Sequence, residues 1–445
     1  MIDAIITICT RLQSRRLPGK ALMNIEGMSS LEHIITRIEP SNLPLYLCVP
    51  EDQATSFFHL VHKFNGASIF KGNAESPLHR IGELLRTLDH RPKYIIRITH
   101  DDILIDCKTM MDLLECVDEA DAGYGSTPSI CEGAGVEIIR SENILKACSR
   151  NEPTEFISYF VKGEGMPFPG TVKLEPRPTI KRNFRLTLDY PQDALVLKIV
   201  LRALGPTPTL DKICQFLDSR PYILNLNRLP DVSFYTCAKD MERWIGDTML
   251  SVLGSNLPSM EYIVVDDGSR DNTLAEIAKF SNDKRLTLVI NEDNEGLASS
   301  CNTAIAEAKG KTVVRIDADD MLRTDAFNEN WPSIKKLLDM GHKIVYPAYY
   351  EISQHNDLNV VDGMLDAKDP RLNHHAGGAI MDRAWLNEWR FKDGLRHWDG
   401  LELYNRANDS ANPAYFDNPI WLYRIRNGSL SRSNRKEREV IRKMV

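Results

Sequence analysis

Short apolar runs recur along the chain, with room for a helix between one and the next. From Ile2 to about Leu224, the runs AIITI, LYLCV and YIIRI alternate with stretches whose apolar positions keep a helical period. That is the pattern of a sheet covered by helices. One helical stretch carries its own start signal: Ser29 and Glu32 form a capping box, and Leu31, Ile34, Ile35 and Ile38 line one face.

The alternation lapses between Gly205 and Asp231, in a proline-rich stretch that ends without periodicity. A boundary is expected near residues 222–231, dividing the chain into domains 1–228 and 229–445. Beyond it VSFYTC, YIVVDD, LTLVIN and KTVVRID again read as strands. They are separated by amphipathic stretches, one of which carries Leu297, Cys301, Ala304, Ile305 and Ala308, with Gly310 placed to end the helix. The fold class expected is α/β, as two successive Rossmann-like domains with mixed, mostly parallel sheets.

Composition narrows the picture. The chain has 445 residues, more than one core usually serves, and its 42% hydrophobic and 26% charged residues suit a soluble globular protein. A net charge of -7 excludes a general nucleic-acid binder, so any phosphate site must be local. The nine cysteines have no metal-type spacing and read as buried thiols of a reducing compartment. Near the N-terminus the basic residues follow the short apolar stretch, the reverse of a secretory signal, and no apolar run is long enough to span a bilayer. A cytoplasmic location is expected. The basic run from Arg432 to Lys443 suits the inner face of an anionic membrane, or else forms a solvated tail helix.

Candidate chemistry begins after the first strand. TRLQSRRLPGK places Arg11, Ser14, Arg16 and Lys20 in one loop, with Pro18 and Gly19 shaping its turn. Ligands of open α/β sheets collect at the carboxyl ends of strands, where guanidinium groups and close backbone suit phosphate oxygens. The strand YIIRI runs into Asp101 and Asp102, and RLTLDYPQD offers Asp189. Such carboxylates suit Mg2+, which takes one or two of them together with phosphate oxygens.

These segments resemble the cytidylyltransferase family of spore-coat polysaccharide synthesis, related to the synthetases of CMP-activated acidic sugars, over roughly the first 225 residues. The matching positions are Arg11, Ser14, Arg16, Leu17, Pro18, Gly19 and Lys20, then Phe70-Lys71-Gly72 with Leu78 and Arg80, and Gly135-Val136-Glu137. Asp101 and Asp189 fall on the family's metal-binding aspartates. The chain reads His100-Asp101-Asp102-Ile103 where the family has Gly-Asp-Cys-Pro, and Phe156 where it has histidine. The resemblance implies attack of a sugar or phosphorylated acceptor on the α-phosphorus of a nucleoside triphosphate, CTP, with Lys20, Arg16 and Arg11 holding phosphates.

In the second half, YIVVDDGSRDNT places Asp266 and Asp267 at a strand end. KTVVRI then runs into Asp317-Ala318-Asp319-Asp320, where three mutually repelling carboxylates call for a divalent cation or strong local hydrogen bonding. In order, these motifs resemble family 2 inverting glycosyltransferases of the GT-A fold, over about residues 231 to 432. The resemblance implies nucleoside-binding acids at Asp266 and Asp267, a donor border at Asn294, Glu295, Gly296 and Asn302, and a Mg2+ or Mn2+ site at Asp317, Asp319 and Asp320. Acceptor-side segments fall on His375-Ala376-Gly377-Gly378, Tyr423-Arg424 and Gly428-Ser429-Leu430-Ser431. The family's Glu-Asp pair falls on Asp399 and Gly400, which makes Asp399 the candidate base, with Asp393 and Glu402 as alternatives.

The expectation is a bifunctional transferase of surface polysaccharide synthesis, with CTP at one site and a nucleotide-sugar donor and a glycan or lipid-linked acceptor at the other. Two alternatives stand beside it. One is an active glycosyltransferase on a non-catalytic N-terminal scaffold, and the other a non-enzymatic sugar-nucleotide-binding assembly protein.

Overall fold

A computed structural model describes residues 2–14, 16–64, 66–149, 157–353, 364–365, 376–395 and 399–426. The chain divides into two units, Met1–Arg228 and Leu229–Val445.

The first unit contains β1 (Ala4–Cys9), α1 (Ser30–Ile38), β2 (Leu45–Pro50), β3 (Ala67–Gly72), α2 (Pro77–Thr87), β4 (Tyr94–Thr99), β5 (Tyr124–Ser126), β6 (Glu137–Arg140) and β7 (Thr171–Lys173). The sheet runs β3-β2-β1-β4-β6-β5-β7. It is parallel from β3 through β4 and turns antiparallel at β6. The apolar runs are nearly continuous because both faces of the sheet are covered. Ile6 and Ile8 of β1 join the core that holds Ile34 and Ile35, while Ile5 and Cys9 point into the opposite one with Ile81 and Leu84. The capping box of α1 forms as its sequence predicts, with Ser29 and Glu32 each accepting the other's backbone N–H.

The proline-rich stretch before the boundary is more regular than its composition suggests. Leu210–Asp218 is a helix capped by the Thr209 side chain, and it buries Leu210, Ile213, Cys214 and Leu217.

The second unit contains β8 (Val232–Ala238), α3 (Ile245–Leu253), β9 (Met260–Asp267), β10 (Leu286–Asn291), α4 (Leu297–Glu307), β11 (Thr312–Arg315), β12 (Met321–Leu322), β13 (Ile344–Ser353), β14 (Met364–Leu365), β15 (Ile380–Asp382), α5 (Asp399–Ala411) and β16 (Ala414–Ile425). Its sheet runs β10-β9-β8-β11-β15-β13-β16-β12, with β14 paired to β13. The half from β10 to β11 is parallel, and β15 joins it antiparallel.

Gly310 has a different role from the one its position after a helix suggests. The helix α4 ends at Glu307 with Ala308 as an extended cap. A Cβ at Gly310 would lie 2.7 Å from Ser233 Oγ and 2.8 Å from its nitrogen, so glycine is required for close approach to β8.

Candidate active sites

In the first unit the parallel strands β1 and β4 end side by side, with Cys9 opposite Thr99. The loop that leaves β1 is pinned at its base by Arg80 of α2, a buried guanidinium that donates to Thr10 O at 3.5 Å and to Cys48 O at 3.1 Å. Leu17 N donates to Ser14 Oγ at 3.4 Å, and Gly19 N to Leu12 O at 3.0 Å. Gly19 sits at a φ of 70°, a left-handed turn that glycine adopts without strain and that carries the chain into Lys20.

Lys20 is 4% exposed, and its Nζ lies 3.1 Å from Asp101 Oδ2 and 2.9 Å from Asp189 Oδ1. Exposed Arg16 reaches the same Asp189 oxygen at 3.2 Å through Nη2. Three segments far apart in sequence therefore converge beside the loop that also carries Arg11. Burial alone would raise the Asp101 carboxyl, but the Lys20 ammonium, supported by His100 and Thr99, holds it well below the usual carboxylate range. Asp102 moves the opposite way, pushed up by burial and by the Asp101 charge.

Asp101 Oδ1 is buried without a hydrogen-bond partner. Two carboxylates already gathered around one cation, with an oxygen to spare, fit magnesium that takes its remaining ligands from phosphate and water. Among the described residues no group of three or more His, Cys, Asp or Glu side chains is arranged to hold a metal ion. A magnesium bound with a triphosphate does not require such a group.

In the second unit β8, β9 and β11 end along one sheet edge. Asp266 is fully buried at the end of β9; its Oδ2 accepts from Ser269 N at 3.1 Å, and its Oδ1 has no partner. Asp267 binds the chain itself. Its Oδ1 accepts from Glu295 N at 2.9 Å and Asn291 Nδ2 at 3.0 Å, and its Oδ2 from Gly296 N at 3.0 Å. The segment with exposed Asn294 and with Gly296 at a φ of 93° is thus tied to β9. Asn302 is also engaged, donating to Phe391 O at 2.8 Å and to Asp393 Oδ1 at 2.9 Å.

The acid turn after β11 is balanced by arginines. Asp317 Oδ1 accepts from Arg315 Nε at 2.6 Å, and Asp319 pairs with Arg426, whose guanidinium lies 4.8 Å from the Trp244 ring centroid. Asp320 is wholly buried, and its Oδ1 accepts from Arg424 N at 2.8 Å, which anchors the turn to β16. Burial, together with Asp319 and Asp317, pushes the Asp320 carboxyl well above its ordinary range. Burial raises Asp319 as well, with Arg426 opposing.

A Cβ at Gly377 would stand 2.8 Å from Asp317 Oδ2, so the missing side chain leaves space beside that oxygen. The open side of Asp317 and the unpartnered Asp320 Oδ2 fit a divalent ion among these acids.

Asp399 opens α5 and is buried, with Oδ2 on Arg315 Nη1. The two alternatives for the base also have partners: Glu402 holds Arg406 at 2.7 and 2.9 Å, and Asp393 Oδ1 accepts from Asn302. His375, Gly428-Ser429-Leu430-Ser431, Phe156 and the basic run from Arg432 to Lys443 lie outside the described residues. Motif reading missed Arg315 and Arg426. Its available signal for Arg315 was a charged residue inside the apolar run TVVRI.

Both units thus gather cationic side chains and carboxylates at the carboxyl edge of their parallel strands, where ligands of open α/β sheets collect. A family model described as Cytidylyltransferase matches residues 5–163, and one described as Glycosyl transferase family 2 matches residues 233–394. The chain belongs to the family 2 glycosyltransferases and carries a cytidylyltransferase domain ahead of that domain. Both families generally use divalent metal ions.

A UDP-Glc:alpha-D-GlcNAc-diphosphoundecaprenol beta-1,3-glucosyltransferase of Escherichia coli is 36% identical over 214 residues, covering 46% of this chain and 81% of that protein. An uncharacterized glycosyltransferase of Haemophilus influenzae is 33% identical over 145 residues, covering 32% of this chain and 44% of its own length. A hyaluronan synthase of Pasteurella multocida is 34% identical over 102 residues, covering 23% of this chain and 10% of that enzyme. The chain spans less than half the length of the first curated relatives it matches. A solved cytidylyltransferase of Leptospira borgpetersenii aligns with 51% of this chain and 98% of its own, at 20% identity and a TM-score of 0.45. No helix among the described residues is long and apolar enough to cross a membrane.

Proposed function

We propose that the chain is a bifunctional enzyme of surface polysaccharide biosynthesis. Its first site transfers a cytidylyl group from CTP to a sugar or polyol phosphate, or to an acidic sugar. Its second transfers a glycosyl group from a nucleotide-sugar to a glycan or lipid-linked acceptor, with inversion. The observation that supports this reading is the convergence of Lys20, Asp101 and Asp189, a buried ammonium and two carboxylates beside the loop after β1, which are the charges that a triphosphate and its metal ion call for.

At the first site an acceptor oxygen bonds to the α-phosphorus while the bond to pyrophosphate breaks, the electron pair leaving with pyrophosphate. Lys20, Arg11 and Arg16 neutralise the phosphates, with Ser14 and the close backbone at Gly19 completing the cradle. Asp101 and Asp189 would hold Mg2+, which supplies charge neutralisation on the departing phosphates. At the second site the acceptor hydroxyl bonds to the sugar's anomeric carbon, its proton passes to Asp399, and the nucleoside diphosphate departs with the electron pair. Asp266 and Asp267, with Asn294, Gly296 and Asn302, shape the nucleoside side. Asp317 and Asp319, backed by Asp320, would hold Mg2+ or Mn2+ against the diphosphate.

The relative named for a diphosphoundecaprenol acceptor supports a lipid-linked acceptor here. The positive charge of the run from Arg432 to Lys443 supports a cytoplasmic enzyme working at the inner membrane face. Fusion of the two units supports a common pathway.

The test is pyrophosphate release from each nucleoside triphosphate with Mg2+ and a panel of sugar phosphates, polyol phosphates and acidic sugars. CTP-selective release that Asp101→Ala abolishes is expected. No release from CTP with any acceptor would remove the first activity from this reading.

A further inference from the structure

The strand β11 ends in a residue that none of the motifs accounts for. Thr312, Val313 and Val314 are buried as a central strand requires, and Arg315 follows at 4% exposure. A guanidinium so placed needs full pairing, because desolvating an ion costs several kcal/mol. Its backbone is fixed from both sides: Arg315 pairs with Tyr235 of β8, and Gly378 N donates to Arg315 O at 2.8 Å. From this fixed point the side chain serves two acids at once, Nε on Asp317 Oδ1 and Nη1 on Asp399 Oδ2.

Those acids belong to opposite sides of the proposed reaction. Asp317 begins the acid turn that faces the donor diphosphate, and Asp399 opens α5, 84 positions beyond Arg315. Two donors of one rigid plane fix both the spacing and the orientation of two carboxylates, which a flexible ammonium does less strictly. One cation against two carboxylates leaves one negative charge uncompensated. Asp399 Oδ1 makes no hydrogen bond among the described residues, so it is the oxygen left to take a proton.

We propose that Arg315 is the positioning residue of the second site, clamping Asp317 and Asp399 at a set separation so that Asp399 presents Oδ1 to the acceptor hydroxyl. The proposal rests on the glycosyl transfer proposed above. As the acceptor oxygen bonds to the anomeric carbon, its proton passes to Oδ1, and the carbon–oxygen bond to the diphosphate breaks with its electrons on the leaving group. Arg315 neither receives that proton nor touches the sugar. It acts through Asp399.

The test is a double-mutant cycle on the full chain, reading UDP release from UDP-glucose and UDP-GlcNAc with Mn2+, with water or an added glycan as acceptor. Arg315→Lys keeps the charge and loses the fork, so kcat is expected to fall about tenfold while the donor KM stays within about twofold. In an Asp399→Asn background the same change is expected to cost less than about twofold, because the group through which it acts is gone. An additive loss in that background would overturn the clamp, as would full activity of Arg315→Lys or a loss confined to donor KM. Arg315→Lys that fails to fold would leave Arg315→Gln, judged by the same cycle and by its melting temperature. If the wild type released UDP from neither donor, nor GDP or dTDP from their sugars, the glycosyltransferase reading itself would fall, and the clamp with it.

Discussion

Lys20 and Asp189 stand 169 positions apart in the chain and meet with Nζ 2.9 Å from Oδ1. The ammonium is shared with Asp101 and is almost wholly withdrawn from water. It occupies the position between two carboxylates that a divalent cation bound with a triphosphate would contest.

Lys20→Ala should therefore have two effects of different kinds. Removing the ammonium leaves two carboxylates in a buried setting with Arg16 reaching one of them, a loss on the order of 3 kcal/mol that a lowered melting temperature would register. Pyrophosphate release from CTP should fall by about 100-fold or more, since the charge proposed to meet the phosphates is lost. Added Mg2+ should then raise the melting temperature of the variant more than that of the wild type, as the ion takes over the vacated charge. A variant that releases pyrophosphate at the wild-type rate would remove Lys20 from the site.

Much of this site was legible because each of its pieces is a short segment that carries its own signal. The segment from Arg11 to Lys20 and Asp101 each follow an apolar run that forms a strand, and the rule that ligands gather at carboxyl ends of strands brings them together. Asp189 follows an apolar run too, but residues 186–188 form no strand and only an isolated bridge from Arg185 to Glu132 precedes it. The arginine partners of the second site were not legible. Arg315 meets Asp399 84 positions later, and Arg426 meets Asp319 across 107 positions. Only the tertiary fold, which brings the start of α5 to Arg315 and the end of β16 to the acid turn, puts those charges side by side. Asp267 and Asn302 sit in recognisable motifs, yet their hydrogen bonds go to the protein's own backbone and side chains. A motif names the residue type, whereas the direction of its side chain is set by tertiary packing.

Gly310 illustrates the same limit and yields a stability prediction. A glycine just past a helical pattern has two physical explanations, a left-handed cap or a close approach, and the sequence alone does not separate them. The backbone of α4 turns without it, and Ser233 crowds it. Gly310→Ala should cost about 1–3 kcal/mol in urea denaturation, through displacement of β8. Gly246→Ala, in α3 with its nearest atom at an ordinary 3.7 Å, should be neutral or slightly stabilising. Equal effects at the two sites would contradict the close-approach account.

Acid stability should depend on Arg177. Its guanidinium joins Asp106, at 2.9 Å, to Asp211, at 2.6 Å. Hydrogen bonding from Arg177, opposed by partial burial and aided by Thr179, draws the Asp211 carboxyl down to about 2. At Asp106 burial works upward, but Arg177 and Thr109 outweigh it and lower that carboxyl too. Between the folded value and the unfolded value of 3.8 the unfolded chain binds more protons, so stability rises with pH there. The contribution is complete above about pH 5 and is lost as pH falls towards 2. Because Asp211 is 40% exposed, solvent screening keeps its share small. Melting of the full chain from pH 5 to pH 2.5 should show this slope, and Arg177→Gln should flatten it. An unchanged slope in the variant would place the acid sensitivity elsewhere.

Asp267 makes the sharpest separation between holding a loop and touching a ligand. Its two oxygens accept from the backbone of Glu295 and Gly296 and from Asn291, and the residue is 4% exposed. In Asp267→Asn one oxygen becomes an NH2 group facing a donor, so at least one charge-assisted bond is lost, at about 1.5–3 kcal/mol. If Asp267 acts through the segment it anchors, UDP affinity measured by calorimetry should fall while Asn291→Ala, which removes one of the same bonds, lowers it in the same direction by a smaller factor. Normal UDP affinity in Asp267→Asn, with a lowered melting temperature, would confine the residue to the fold. A large affinity loss in Asp267→Asn with none in Asn291→Ala would instead indicate direct contact between this carboxylate and the nucleoside.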